Sequence, residues 1–345
     1  MAEHVPRPPV AAGRFYPDDA ELLLLQIEAC YTHPLGPYSS KAALPDRPPL
    51  ALIVPHGALG HAGPVTAHAF ACLDYWSRRA GVFPELVVLL GPDHLALGAS
   101  VSATRRDYVT PLGCLPTHLA LVDRLCAAAQ GKDAMSWLTV AEAGHDREHA
   151  IENVVPFLQY QAAMFAGAWG NQPYAWNRAL PELLPLTIRV QDLETAERLA
   201  ALLDRLLPRD GVLLVATGDL CHCGPLYGNA PVFGETPEAF CRKGAERVTE
   251  VLRAFDPNSL FAAYHREAWS LCGITGIAAA LHWARLRGGS ETRLLCLADS
   301  VAIARAWNDH PSLPRDGCGA FLYPWNLLTG VDSNNPVGFG SFALL

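Results

Sequence analysis

Short, unbroken apolar runs that end abruptly in a polar turn recur along this chain. Leu86 to Leu90 closes on Gly91-Pro92 and delivers Asp93 and His94. Leu50 to Val54 runs into Pro55-His56, and Val212 to Ala216 runs into Thr217-Gly218-Asp219-Leu220-Cys221-His222. Runs of this length, without alternation, predict strands buried on both faces. Longer stretches carry apolar residues at helical spacing. They predict helices from Asp18 or Asp19 to about Tyr31, Val65–Ala80, Leu119–Ala129, Leu193–Leu207, Pro237–Phe255, Ser259–His265 and Gly276–Leu286. Glu148–Phe165 also predicts a helix, with a kink at Pro156. Further strands are expected at Val101–Ala103, Asp107–Val109, Leu183–Val190, Leu294–Leu297 and Cys318–Tyr323. Residues 168–178 read as a loop rich in Trp, Asn and Gly. Ser333–Leu345 reads as a poorly ordered tail. Strands and helices alternate with no break in composition. This predicts one α/β domain over residues 1–330, a mixed, mostly parallel sheet covered by helices on both faces, and a tail over 331–345.

Composition narrows the function. Half of the 345 residues are hydrophobic and 17% are charged, enough for a large core. A net charge of −8 without any basic run argues against a nucleic-acid partner. No stretch is long enough to span a bilayer, and the N-terminal residues carry no apolar signal core. The ten cysteines are scattered and no CxxC occurs, which fits reduced thiols in a cytoplasmic protein and not a disulfide framework or zinc knuckle. A homo-oligomer is compatible with this composition.

The chemistry gathers where the strands end. Ligands bind at the carboxyl ends of strands in open parallel sheets, and three strands each place a histidine there. His56 and His94 are candidate metal ligands; a third would come from Asp93, Asp219 or Cys272. Cys272 precedes a predicted helix, whose N-terminus would favour thiolate; the ordinary alternative is a buried core cysteine. His222, with Asp219 three residues before it to orient the ring, is the candidate general acid/base. His61, His149 and Glu152 are expected to line the same pocket. A rival arrangement is His145-Asp146-Arg147-Glu148-His149, which fits the H-x-x-E-H pattern of inverted zincins and would make the protein a zinc hydrolase. Gly144 beside His145 argues against the helix that pattern needs. There is no P-loop, no G-x-S-x-G and no G-x-G-x-x-G after a strand.

Taken in order, Ala12-Gly13-Arg14-Phe15-Tyr16-Pro17, Val54-Pro55-His56, Leu90-Gly91-Pro92-Asp93-His94, Thr110-Pro111-Leu112-Gly113, Glu148-His149-Ala150-Ile151-Glu152, Gly218-Asp219-Leu220-Cys221-His222 and Leu271-Cys272-Gly273 resemble the Memo family, whose microbial members are called AmmeMemoRadiSam system protein B. The resemblance spans roughly residues 10–325. It implies the fold of class III extradiol (LigB-like) dioxygenases. It also implies a metal site at His56, His94 and Cys272, with His222 and Asp219 beside it. Iron(II) is the metal it favours, then copper, then zinc. The expected function is oxidation of a small electron-rich substrate with dioxygen. The alternative is a non-catalytic iron- or copper-binding or redox partner protein. The sequence departs from the family at Gly57-Ala58-Leu59-Gly60-His61, where two tyrosines are common, at Ile274-Thr275-Gly276, and in the aromatic loop at 168–178.

Overall fold

The computed structural model describes residues 6–39, 44–130, 137–167, 180–229, 231, 234–308 and 332–345. Strands β1 (Ala51–Val54), β2 (Leu86–Pro92), β7 (Glu182–Ile188) and β8 (Val212–Thr217) form the middle of a nine-stranded sheet and run parallel to their neighbours in the order β1, β8, β2, β7. Beyond β7 lie β3 (Val101–Ala103), antiparallel to it, and β6 (Leu138–Val140). Beyond β1 lie β11 (Val337–Leu344) and β10 (Thr292–Asp299), both antiparallel to their neighbours, and the two-residue β9 (Cys221–His222) pairs with the start of β11. A separate hairpin joins β4 (Tyr108–Thr110) to β5 (Gly113–Leu115).

The unbroken apolar runs have the meaning the pattern gave them. Along β1, Ala51 and Ile53 enter one core, while Leu52 and Val54 enter the other. Strands β2 and β8 divide the same way, because successive side chains point to opposite faces. One face is covered by α1 (Ala20–Thr32), α2 (Leu59–Ala80), α5 (Val155–Phe165) and α10 (Ser300–Asn308). The other is covered by α3 (Leu119–Ala128), α6 (Leu193–Leu206), α7 (Pro237–Arg253), α8 (Pro257–Glu267) and α9 (Ile274–Leu286). The short α4 spans Ala143–Asp146. The result is a single mixed α/β domain with helices on both faces of its sheet, as the alternation predicts. Among the described residues no helix is long and apolar enough to cross a membrane.

Three expectations change. Ser333–Leu345, expected to be a loose tail, contains β11, which sits between β10 and β1 and is buried along almost its whole length. Helix α2 begins at Leu59, not Val65, and carries Pro64 inside it. The carbonyl of Gly60, which a proline at 64 leaves without its helical partner, accepts the indole N–H of Trp307 at 2.5 Å. Residues 148–154 are not helical: α5 starts at Val155, with Pro156 at its entrance, where a missing N–H costs nothing. The expected strand Cys318–Tyr323 and the aromatic loop 168–178 lie outside the described residues.

Candidate metal centre

All of the chemistry collects at the carboxyl rim of the parallel strands. Strand β1 runs into His56, β2 into His94 and β8 into Asp219. Cys272 arrives from the turn before α9. That turn packs directly on the end of β8: a side chain at Gly218 would collide with the carbonyl of Cys272. One donor atom each from His56, His94 and Cys272 lie within 4.8 Å of one another, and the Cys272 Sγ is 3.3 Å from the His56 Nε2.

Each histidine is held by its other nitrogen. The Thr217 hydroxyl donates to the Val54 carbonyl at 2.9 Å, so it accepts from His56 Nδ1 at 3.0 Å; the proton is thereby assigned to Nδ1, and the Nε2 lone pair faces Cys272. The buried Glu148 carboxylate accepts the His94 backbone N–H at 2.6 Å and His94 Nδ1 at 3.0 Å, which frees the His94 Nε2 in the same way. It also accepts the N–H groups of His149 at 2.8 Å and Ala150 at 2.9 Å. Burial pushes the Glu148 carboxyl up, but the His94 hydrogen bond, the neighbouring histidines and the Ala150 N–H outweigh it and hold it at about 2. Burial lowers the His56 pKa well below the ordinary imidazole value, and His94 and His149 lower it further. For His94, burial is overcome by Glu148, and the pKa is raised. The His149 ring stacks on His94 at 4.9 Å and on Phe15 at 4.4 Å, its pKa lowered by burial. His94, Glu148 and His149 form a second donor group; Asp219, His222 and Cys272 form a third.

The thiol departs from expectation. Burial, followed by the Asp219 carboxylate, pushes Cys272 well above the ordinary thiol value. Gly273 is the N-cap of α9, and the helix does not offset those effects. The backbone N–H of Asp219 donates to the Cys272 Sγ at 3.1 Å, so one donor already serves the sulfur. A cation between these donors would reverse the balance and favour thiolate. Two imidazoles held through Nδ1, with their Nε2 atoms turned to the cluster, and one sulfur in reach make a donor set that fits a transition metal.

His222 stands beside this group with its ring aimed by an unexpected partner. Its Nδ1 donates to the Ser270 carbonyl at 2.8 Å, and its backbone N–H donates to the Ser270 hydroxyl at 2.8 Å. Asp219 is not the orienting group: its Oδ1 accepts the His56 backbone N–H at 3.0 Å, and its Oδ2 lies 3.7 Å from His222 Nε2 and 3.9 Å from His56 Nε2.

Three other candidates serve elsewhere. Asp93 turns its carboxylate onto the N–H groups of Gly98 at 2.7 Å and Leu97 at 3.4 Å, closing the turn after β2. Glu152 is fully buried and accepts from Arg7 at 2.6 Å, Tyr16 at 2.6 Å, Ala11 at 2.7 Å and Val10 at 3.0 Å, so it anchors the N-terminal segment and does not line the site. His61 lies in the first turn of α2 and belongs to none of the three donor groups among the described residues.

The family model for Memo-like proteins matches residues 7–308. The chain belongs to the Memo family. It is 32% identical over 312 residues to a MEMO1 family protein of Aeropyrum pernix, an alignment covering 87% of this chain and 96% of that protein. It is 28% identical over 300 residues to one of Methanocaldococcus jannaschii, covering 86% and 93%. A crystal structure of an uncharacterized protein of Escherichia coli K12 superposes with a TM-score of 0.45 and 14% identity, over 73% of this chain and 94% of that one.

In this Memo protein the zincin pattern is not a zinc site. His145 is buried, with Nε2 2.9 Å from the Ser102 carbonyl and Nδ1 2.8 Å from the Tyr108 hydroxyl, and α4 ends before His149. Both of its nitrogens are therefore engaged, and the two histidines do not share a helical face. Sequence reasoning missed Thr217, Ser270 and Arg7, and named Glu148 only within the rival zinc pattern and the run that carries the family resemblance. Thr217 and Ser270 act through groups that any serine or threonine carries, so nothing in their spacing marks them.

Proposed function

We propose that this Memo protein is a metal-dependent oxidoreductase of the extradiol-dioxygenase type, holding iron(II) through His56 Nε2, His94 Nε2 and Cys272 Sγ. The observation that carries this reading is the convergence of those three donors from three separate segments, with both histidines fixed through the opposite ring nitrogen. Fixing the second nitrogen sets the tautomer and raises the basicity of the first. What bound iron(II) would supply is open coordination positions for an oxygen- or nitrogen-bearing substrate and for dioxygen.

The chain's own groups do the rest. Thr217 and Glu148 aim His56 and His94 by holding their Nδ1 atoms. Asp219 holds the His56 backbone and keeps negative charge beside the site. His222 has Nδ1 committed to Ser270, so Nε2 is the atom at which it takes up a substrate proton and returns it. Asp219 Oδ2 lies 3.7 Å from that Nε2.

One observation favours a second reading, a copper- or iron-binding redox partner protein. The His94 side chain is 31% exposed, so the site opens to solvent, and a thiolate suits copper. Anaerobic reconstitution followed by oxygen uptake with catechols and aminophenols separates the two. Substrate-dependent uptake that is lost in His222→Gln with metal retained supports the enzyme; metal binding with no uptake for any such substrate supports the partner protein. Full metal occupancy in both His56→Ala and His94→Ala would end both readings.

A further inference from the structure

The run Cys221-His222-Cys223 puts two thiols around the candidate proton carrier, and the proposed reaction uses neither. On β9, successive side chains point to opposite faces. His222 faces the donor cluster, and Cys221 faces α7. There it meets Cys241, whose Sγ donates to the Cys221 carbonyl at 3.6 Å. Two glycines keep this contact close. A side-chain carbon at Gly244 would lie 2.6 Å from the Cys221 Sγ, and one at Gly338 would lie 3.4 Å from the Cys241 Sγ and 3.5 Å from the Cys221 Cβ.

The two sulfurs are not equivalent. Cys221 lines a cavity of about 300 Å3 walled by Gly244, Val248, Trp269 and Ser270, whereas Cys241 is fully buried behind it. Cys221 borders the cavity and is the sulfur an oxidant entering it meets first, and Cys241 behind it is placed as the resolving thiol.

We propose that Cys221 and Cys241 are a peroxide-oxidisable dithiol that closes to a disulfide tying β9 to α7 behind His222. In the first step the Cys221 sulfur attacks one oxygen of hydrogen peroxide. An S–O bond forms, the O–O bond breaks, and the other oxygen leaves as water with the thiol proton, giving a sulfenic acid. In the second step the Cys241 sulfur attacks the Cys221 sulfur. The S–S bond forms, the S–O bond breaks, and a second water leaves with the Cys241 proton. Two thiols lose two electrons in all, and one peroxide becomes two waters. A thiol restores both cysteines by exchange. The consequence falls on β9, which carries His222: the disulfide fixes the strand from its far side. This inference stands apart from the metal-site reading, because none of its atoms belongs to the three donor groups.

The test is thiol mapping of the full-length protein after stoichiometric hydrogen peroxide in the presence of a chelator. Trypsin leaves Cys221, Cys223 and Cys241 in one peptide, so cleavage after Glu235 and Glu238 is needed to separate Cys241 from the other two. The expected result is a peptide pair joined through Cys221 and Cys241, two hydrogens lighter than the reduced pair and released by dithiothreitol. Cys241→Ser should accumulate a Cys221 sulfenic acid that dimedone traps, and Cys221→Ser should leave Cys241 unoxidised. Protection of both residues from peroxide in the wild-type protein, a link through Cys223, or dimedone labelling confined to Cys272 would overturn the proposal. The wild-type map decides this even where a variant fails to fold.

Discussion

Glu148 shows how much one side chain can organise. Its two oxygens receive two backbone N–H groups after the turn and both the backbone and ring nitrogens of His94. Glu148→Gln keeps the shape but turns one acceptor into a donor, so metal affinity should fall by about 10–100-fold, the usual cost of losing such a partner. Isothermal titration with cobalt(II) measures it, and unchanged affinity would show that His94 is aimed without Glu148. His145 makes a separate prediction about acid. Burial lowers its pKa to about 4, against about 6.5 when unfolded. Between those values the unfolded chain binds the extra proton, so stability is full above about 6.5 and is lost as pH falls toward 4. Urea unfolding of His145→Gln should show lower stability at neutral pH and a flatter profile through that window. An equal slope in wild type and variant would assign acid sensitivity to other groups.

At the scale of elements, the stretch after α4 matters because residues 147–154 are not helical. Arg7 reaches it from near the start of the chain: Nε donates to the His145 carbonyl at 2.7 Å, Nη2 to the Glu148 carbonyl at 2.5 Å, and Nη1 to the Glu152 carboxylate at 2.6 Å. One buried guanidinium thus pins both ends and the middle of the stretch that carries Glu148 and His149. Arg7→Met should cost about 3–5 kcal/mol, because it strands a buried Glu152 carboxylate, and it should also weaken metal binding. Adding Glu152→Gln should recover part of the stability, since the stranded charge is then gone. Chemical denaturation of the three variants tests the first claim and cobalt titration the second; a fully destabilised double variant would rule out the ion pair as the cause.

The same elements show what the sequence could and could not reveal. The strands β1, β2 and β8 were legible because burial on both faces demands unbroken apolar runs, and their ends then located His56, His94 and Asp219. Cys272 was one of three candidates by position, and the family resemblance singled it out, since a lone cysteine before a helix also looks like a core thiol. Strand β11 was hidden because tight packing selects glycine in it: a side-chain carbon at Gly338 would lie 2.7 Å from Ala245, and one at Gly340 would lie 2.7 Å from Leu220. Its composition therefore imitates a loop. Glu152 was misread for the opposite reason, being polar, near a motif, and wholly spent on the N-terminal segment.

For the whole molecule, the donor cluster is a junction between distant parts of the chain. Residues 56, 94 and 272 come together only when β1, β2 and the turn before α9 are in place, so the unfolded chain presents no comparable site. A metal that binds the folded form alone stabilises it by about 2.7 kcal/mol at a hundredfold excess over Kd. Thermal unfolding should therefore shift upward by a few degrees on adding iron(II) anaerobically, or cobalt(II) in air, and a chelator should reverse it. The pH dependence has a definite sign. Without metal, burial and then the Asp219 carboxylate push the Cys272 thiol well above the ordinary thiol value and favour its protonated form. A bound metal requires the thiolate and releases that proton, so the metal-dependent shift should grow as pH rises from 6 to 8. Cys272→Ser should lose most of the shift and its pH dependence, while His145→Gln should keep both. A metal-dependent shift that is equal in wild type and Cys272→Ser, and flat with pH, would place the sulfur outside the centre and leave two histidines with an oxygen ligand.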